Sequence, residues 1–250
     1  MRLKKLMLIS LLPLLLCSAF SVNASGDNIE IRTIGFPPYG INTQAELSGI
    51  YYEMANILVS GAGYAPQNRV APYARIIKEM KFGVIDLTIM FRYPELEEYV
   101  EYIAPLPSIK TVVMGLQGNN FTNIESLTNK KIAYLRGAKF SDEIDNNVSI
   151  IKYPINNYAQ GVKMLAAGRA DAIIGALDPI LRSALYLNDK EILFGEPLVV
   201  DSRTPWIQIS KKSHNNMDVK KLKASFLAMQ REDTLKRLST KYNNQSHLKQ

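Results

Sequence analysis

The sequence predicts an α/β protein built from two similar lobes. Two observations carry that expectation. Short apolar runs alternate with helical patterns along the chain. A helix-Gly-x-x-Asp-strand unit also occurs twice, at Gly83-Val84-Ile85-Asp86 and Gly168-Arg169-Ala170-Asp171. The composition agrees: 250 residues at 47% hydrophobic and 21% charged is ordinary for a globular chain and long enough for one or two cores.

Taken in order, residues 1–24 read as a secretory signal. Arg2, Lys4 and Lys5 precede an almost unbroken apolar run from Leu6 to Phe20, shorter than the ~20 residues a membrane span needs. Val22-Asn23-Ala24 then offers small residues for cleavage before Ser25; an uncleaved anchor is the alternative. Without this leader the chain holds 27 basic and 23 acidic residues, a net +4, and it loses Cys17, its only cysteine. A periplasmic location is expected. A cysteine-free exported chain has neither a disulfide nor a thiol to oxidise. The modest charge, with no basic stretch interleaved with aromatics, argues against nucleic acid.

Residues 29–36 read as a strand. A helix over 51–60 is closed by Gly61 and Gly63, and one over 72–81 by Gly83. Strands follow at 85–90, 112–116 and 131–135. The stretch 157–167 puts Tyr158, Val162 and Leu165 on one helical face and ends at Gly168. A strand at 172–176, a helix at 178–187, a strand at 206–210 and a helical tail over 217–242 complete the reading.

The usual catalytic constellations are missing. His214 and His247 are the only histidines, both in polar segments, and no His-Glu-x-x-His, Gly-x-Ser-x-Gly or phosphate-loop pattern occurs. Neither a zinc site nor a cofactor is expected. What remains is a series of aromatic and cationic residues placed after strands. Phe36-Pro37-Pro38-Tyr39 follows the first strand, its prolines stiffening the turn. Tyr73 and Arg75 sit at a helix start, and Arg92 follows the strand 85–90. Arg136-Gly137-Ala138-Lys139 forms a loop whose N–H groups suit an anion. With Trp206 opening the last strand, these are the candidate ligand-binding residues: Phe36, Tyr39, Tyr73, Arg75, Arg92, Arg136, Lys139 and Trp206.

These segments together resemble the family 3 extracellular solute-binding proteins, the amino-acid-type receptors of ABC transporters. The landmarks occur in order: Pro37-Pro38-Tyr39; Gly49-Ile50-Tyr51-Tyr52-Glu53-Met54; Gly83-Val84-Ile85-Asp86; Pro94-Glu95 ahead of Tyr102-Ile103-Ala104-Pro105; Ile124-Glu125-Ser126-Leu127 leading to Lys131-Ile132-Ala133-Tyr134-Leu135-Arg136-Gly137; and Ala167-Gly168-Arg169-Ala170-Asp171-Ala172. The resemblance implies a two-lobed, type II periplasmic binding protein fold. Each lobe is a mostly parallel sheet flanked by helices, and two hinge strands join them. One lobe would comprise 28–107 and 206–250, the other 112–201, with crossovers near 107–111 and 201–205.

Two departures bear on the ligand. Amino-acid-binding members carry Thr-Pro-Glu-Arg where this chain has Tyr93-Pro94-Glu95-Leu96, and that Arg holds the ligand carboxylate. They carry an Asp for the α-amino group where this chain has Ala176. Arg92 and Asp178 are the nearby candidates to replace the pair. Phe36 and Tyr73 match aromatic positions that line the family's cleft. The resemblance thus implies a monomeric periplasmic protein that traps a small polar solute by hinge closure and delivers it to an ABC permease. The cationic lining points to an anion. Two alternatives share the scaffold: a ligand-sensing module for a membrane receptor, and a periplasmic dehydratase-like enzyme.

Overall fold

The computed structural model describes residues 27–44, 46–187, 192–213 and 215–245. The leader read at 1–24 and both histidines lie outside the described residues.

The chain begins with β1 (Asn28–Ile34), a short antiparallel ribbon of β2 (Ile41–Asn42) and β3 (Leu47–Ser48), α1 (Ile50–Gly61), β4 (Ala65–Ala71), α2 (Tyr73–Phe82), β5 (Leu87–Phe91) and β6 (Val100–Pro105). It then crosses to β7 (Ile109–Met114), β8 (Lys131–Leu135), α3 (Asp142–Asp145), β9 (Ile151–Ile155), α4 (Tyr158–Ala166), β10 (Ala172–Ala176), α5 (Leu177–Tyr186) and β11 (Leu198–Arg203). It returns through Thr204 into β12 (Pro205–Ser210), α6 (Val219–Arg231) and α7 (Thr234–Gln245).

The two large sheets share one plan. The first runs β4-β1-β5-β12-β6 and the second β9-β8-β10-β7-β11. In each, three neighbouring strands are parallel, and the fourth is antiparallel to both of its neighbours. That fourth strand, β12 or β7, is the one that has just crossed from the other sheet. The chain therefore passes between lobes twice, from β6 to β7 and from β11 to β12. The two crossings are tied together: the Leu106 N–H donates to the Pro205 carbonyl at 2.8 Å, and the Ser108 and Thr204 hydroxyls lie 2.7 Å apart.

The repeated Gly-x-x-Asp unit has the same local job in both lobes. Gly83 and Gly168 adopt left-handed φ values of 70° and 65°, ending their helical segments as side-chain-free residues do most easily. Each Asp then exchanges two hydrogen bonds with the middle strand of its sheet's parallel trio, β1 or β8. The Asp86 N–H donates to the Glu30 carbonyl while its carboxylate accepts the Glu30 N–H at 2.6 Å; Asp171 does the same with Lys131 at 2.7 Å.

Each lobe has its own apolar filling. In the first, Ile29, Ile31 and Leu87 of the sheet are fully buried with Leu58 of α1 and Ile76 and Met80 of α2. In the second, Ile132, Ala133, Ile173 and Ile174 are buried with Val162 and Leu165 of α4. All five residues of β10 are buried, which suits an apolar central strand covered on both faces.

Several elements differ from the sequence-based expectation. The tail expected as one helix over 217–242 is two, broken at Asp233, whose φ is +51°. Strand β4, Ala-Pro-Gln-Asn-Arg-Val-Ala, is polar because it is an edge strand in which Gln67 and Arg69 are exposed and only Ala71 is buried. Strand β9 likewise occupies an edge, where Pro154 is tolerated.

Candidate functional site: the cleft between the lobes

The strands of both sheets deliver side chains to one cleft. From the first lobe come Phe36, in the turn after β1 that contains a cis Pro37-Pro38 bond, Tyr39, Tyr51 of α1, Tyr73 of α2 and Phe91 at the end of β5. From the second come Lys139 and Phe140 of the loop after β8, Tyr158 at the start of α4, Ala176 at the end of β10 and Pro179 of α5. The crossings add Ile109, Arg203 and Pro205.

The lobes are in contact across the cleft. The rings of Phe36 and Tyr158 are 4.6 Å apart between centroids, tilted by 50°. Phe36 also runs nearly parallel to Tyr73, at 6.4 Å and 10°, and Tyr39 stacks on Tyr51 at 4.4 Å. The enclosed space left between them is about 40 Å³, room for a few water molecules at most. The lobes therefore touch in this structure, with little space left between their facing side chains.

Arg203, the last residue of β11, ties the closed lobes together. Its guanidinium donates to the Lys139 carbonyl of the second lobe and, at 2.9 Å, to the Arg92 carbonyl of the first. It lies over the Phe91 ring at 4.8 Å. On the far rim, Arg182 of α5 donates to the Tyr242 carbonyl at 3.3 Å and to Asn243 Oδ1 at 2.5 Å, both on α7.

Burial sets the state of the tyrosines. It pushes the hydroxyls of Tyr39, Tyr51, Tyr73 and Tyr158 well above the usual phenol range, since an ionised phenolate would be stripped of water. All four are neutral at physiological pH. The Tyr158 hydroxyl accepts the Ala176 N–H at 3.3 Å.

The structure brings four of the eight candidate residues together: Phe36, Tyr39, Tyr73 and Lys139 line the enclosed space. The other four sit elsewhere. Arg75 is exposed and bonds Glu79 one helical turn on, at 2.6 Å. Arg92 pairs with Glu97 through two contacts of 3.1 and 2.9 Å and lies over Tyr102. Trp206 packs edge-on against the same Tyr102, at 5.5 Å. The Arg136 side chain is exposed, and its N–H extends the β8–β9 pairing to the Ile155 carbonyl. Leu96 is fully buried, and Ala176 lines the cleft with a methyl group, so neither position supplies a charge. Asp178 is exposed and its field reaches Tyr39 and Tyr51.

Sequence reasoning did not select Tyr51, Tyr158 or Arg203. Tyr158 carried a signal in retrospect. It opens α4 directly after β9 and its N-cap Asn157, and Gly175 faces it from a strand in which a glycine is otherwise costly.

Several solved structures share this architecture. An ancestral arginine-binding protein bound to arginine superposes with a TM-score of 0.74 at 18% identity, over 86% of this chain and 97% of that one. The substrate-binding protein of an amino acid ABC transporter gives 0.72 at 18%, over 86% and 98%. A histidine kinase sensor domain with similarity to periplasmic binding proteins gives 0.74 at 12%, over 86% and 95%. At these identities the likeness is one of fold. A comparison with curated protein sequences finds no match. The family model for bacterial extracellular solute-binding proteins, family 3, matches residues 31–245, and the chain belongs to that family.

Proposed function

We propose that this chain is a periplasmic solute-binding protein that captures a small solute in the interlobe cleft and, as a monomer, presents it to an ABC-type permease. The observation that carries the reading is the cleft itself. Its lining comes from both lobes and from both crossings, so its contacts are complete only when the lobes are closed. A ligand that makes both sets of contacts favours the closed population by its differential affinity. Phe36, Tyr39, Tyr73 and Lys139 are the sequence-selected residues proposed to touch it. Binding, with no chemical turnover, is the proposed role, and the leader over 1–24 is the proposed route out of the cytoplasm.

The test is to identify, by mass spectrometry, the small molecule released when the purified protein is denatured, and to return it to stripped protein. A single species that rebinds unchanged and raises the melting temperature with its concentration supports the reading. A species returned as a different product identifies an enzyme instead. The likeness to a histidine kinase sensor domain favours one second reading, ligand sensing for a membrane receptor. Transport is distinguished by loss of solute uptake when the gene is deleted; sensing leaves uptake intact and abolishes a transcriptional response.

A further inference from the structure

The cleft is one-sided in charge. Among the residues that line the enclosed space, Lys139 and Arg203 are the charged ones, both are cations, and no Asp or Glu accompanies them. The remainder is aromatic and aliphatic, with Phe36, Tyr39, Tyr51, Tyr73 and Tyr158 supplying most of the flat surface.

Resting on the solute-binding reading above, we infer that the cleft recognises a flat, ring-bearing organic anion with one carboxylate and no ammonium, an arylcarboxylate in chemical class, and that Arg203 selects the anion. Aromatic faces favour a flat ring, whose apolar area they remove from water and whose edges and faces they complement. A guanidinium has five N–H donors, and Arg203 spends two of them on the Lys139 and Arg92 carbonyls. It also forms a loose ion pair with the half-exposed Asp201, 3.9 Å from Nε and longer than a hydrogen bond. Donors are thus left for a carboxylate, and the positive field of Arg203 already reaches the hydroxyls of Tyr73, Tyr134 and Tyr158. The neutral tyrosines add O–H donors for a second oxygen.

An ammonium has no such welcome. Closing the lobes would strip its water without supplying an anion, because Ala176 offers only a methyl and a backbone N–H already held by Tyr158. Asp178, whose charge reaches Tyr39 and Tyr51, lies outside the cleft lining, in an adjoining open groove with Ser108 and Lys110 that shares Tyr39, Tyr51 and Ile109 with the cleft.

The experiment uses the secreted, ligand-stripped protein and five probes: phenylacetate, phenylalanine, 2-phenylethylamine, 2-phenylethanol and acetate. Calorimetry reads affinity, and solution scattering reads lobe closure. Phenylacetate is expected to bind at least about tenfold more tightly than any other probe, and to close the lobes. Arg203→Gln should erase its advantage over 2-phenylethanol while leaving 2-phenylethanol bound, and Arg203→Lys should restore part of it. Because Arg203 also bridges the lobes, the ratio of the two affinities is the readout. If the Gln variant does not fold, the Lys variant and the wild-type probe ranking still decide. Tighter binding of phenylalanine or 2-phenylethylamine, with closure, overturns the ligand class and leaves the solute-binding reading standing. Acetate binding as well as phenylacetate overturns the role of the ring. An unchanged ratio in Arg203→Gln overturns the role of Arg203. No binding by any probe overturns the class; only if the molecule released from the purified protein also fails to rebind does the solute-binding reading fall with it.

Discussion

Gly175 and Tyr158 pack closely against each other in the cleft. A Cβ on Gly175 would lie 2.2 Å from Tyr158 Cε1 and 2.3 Å from its hydroxyl oxygen, so the ring rests directly on the β10 backbone. Gly175→Ala is therefore expected to displace the ring and cost about 1–3 kcal/mol, the usual range for overpacking. The paired variant Gly175→Ala/Tyr158→Ala should be destabilised by clearly less than the sum of the single changes, because the clash is shared. Urea unfolding of the three variants checks this; additive losses would mean that the two residues do not compete for one space. The buried tyrosines give a second expectation. Their hydroxyls keep protons more firmly in the folded chain than in the unfolded one. The unfolded chain therefore releases protons first, and stability falls as pH rises above about 10, the ordinary phenol value. Tyr158→Phe removes one such group and should flatten the fall in melting temperature between pH 9 and 11 (about the window set by that value) relative to wild type. An equal fall would place the alkaline sensitivity elsewhere. At this scale the sequence was half legible. Phe36, Tyr39 and Tyr73 stand after strand ends or at a helix start, where α/β sheets present ligands. Tyr158 instead reads as part of the Val162 and Leu165 stripe, and Arg203 as one polar residue of a crossover. Their roles arise from contacts across the lobes, which no local pattern encodes.

At the scale of elements, the duplicated helix-Gly-x-x-Asp-strand unit is the clearest case of sequence specifying structure. Both copies fasten their own sheet to the helix that precedes it, but in different surroundings. Asp86 is almost fully buried and also accepts from Asn215 Nδ2 at 2.9 Å and from the Ser213 hydroxyl. Asp171 is half-buried. Asp86→Ala is accordingly expected to cost about 2–3 kcal/mol, by stranding the Glu30 N–H and its other donors, and Asp171→Ala about 1 kcal/mol. Chemical unfolding distinguishes these from equal losses, which would make the bond to the strand the whole effect. Elements set by long-range pairing were harder to read. Strand β4 carries no apolar alternation of its own and is defined by its seven-residue parallel register with β1. The α6–α7 break falls at Glu232-Asp233, without the glycine or proline that marks most helix ends.

At the scale of the whole molecule, the matching sheet plans and the paired crossings make the lobes two bodies with short connections. Among the described residues, the side-chain hydrogen bonds between the lobes come from Arg203 in the cleft and Arg182 on the far rim. Arg182 does not line the cleft space, although its charge reaches Tyr39 there, and Arg182→Ala removes two hydrogen bonds to α7. It is expected to shift the ligand-free population toward open forms and weaken ligand binding by about two- to tenfold. Calorimetry with the released ligand checks this, and an unchanged affinity would show that the rim contact does not bias closure. The two-lobe plan was legible because its repeat is local; which face each lobe turns to the other was not, because it depends on contacts between distant parts of the chain. Capture by closure is tested by small-angle scattering of stripped protein with and without the molecule released from it. The radius of gyration is expected to fall with ligand, and an Arg203→Gln variant to stay expanded at the same concentration. Tight binding with an unchanged radius of gyration would contradict it.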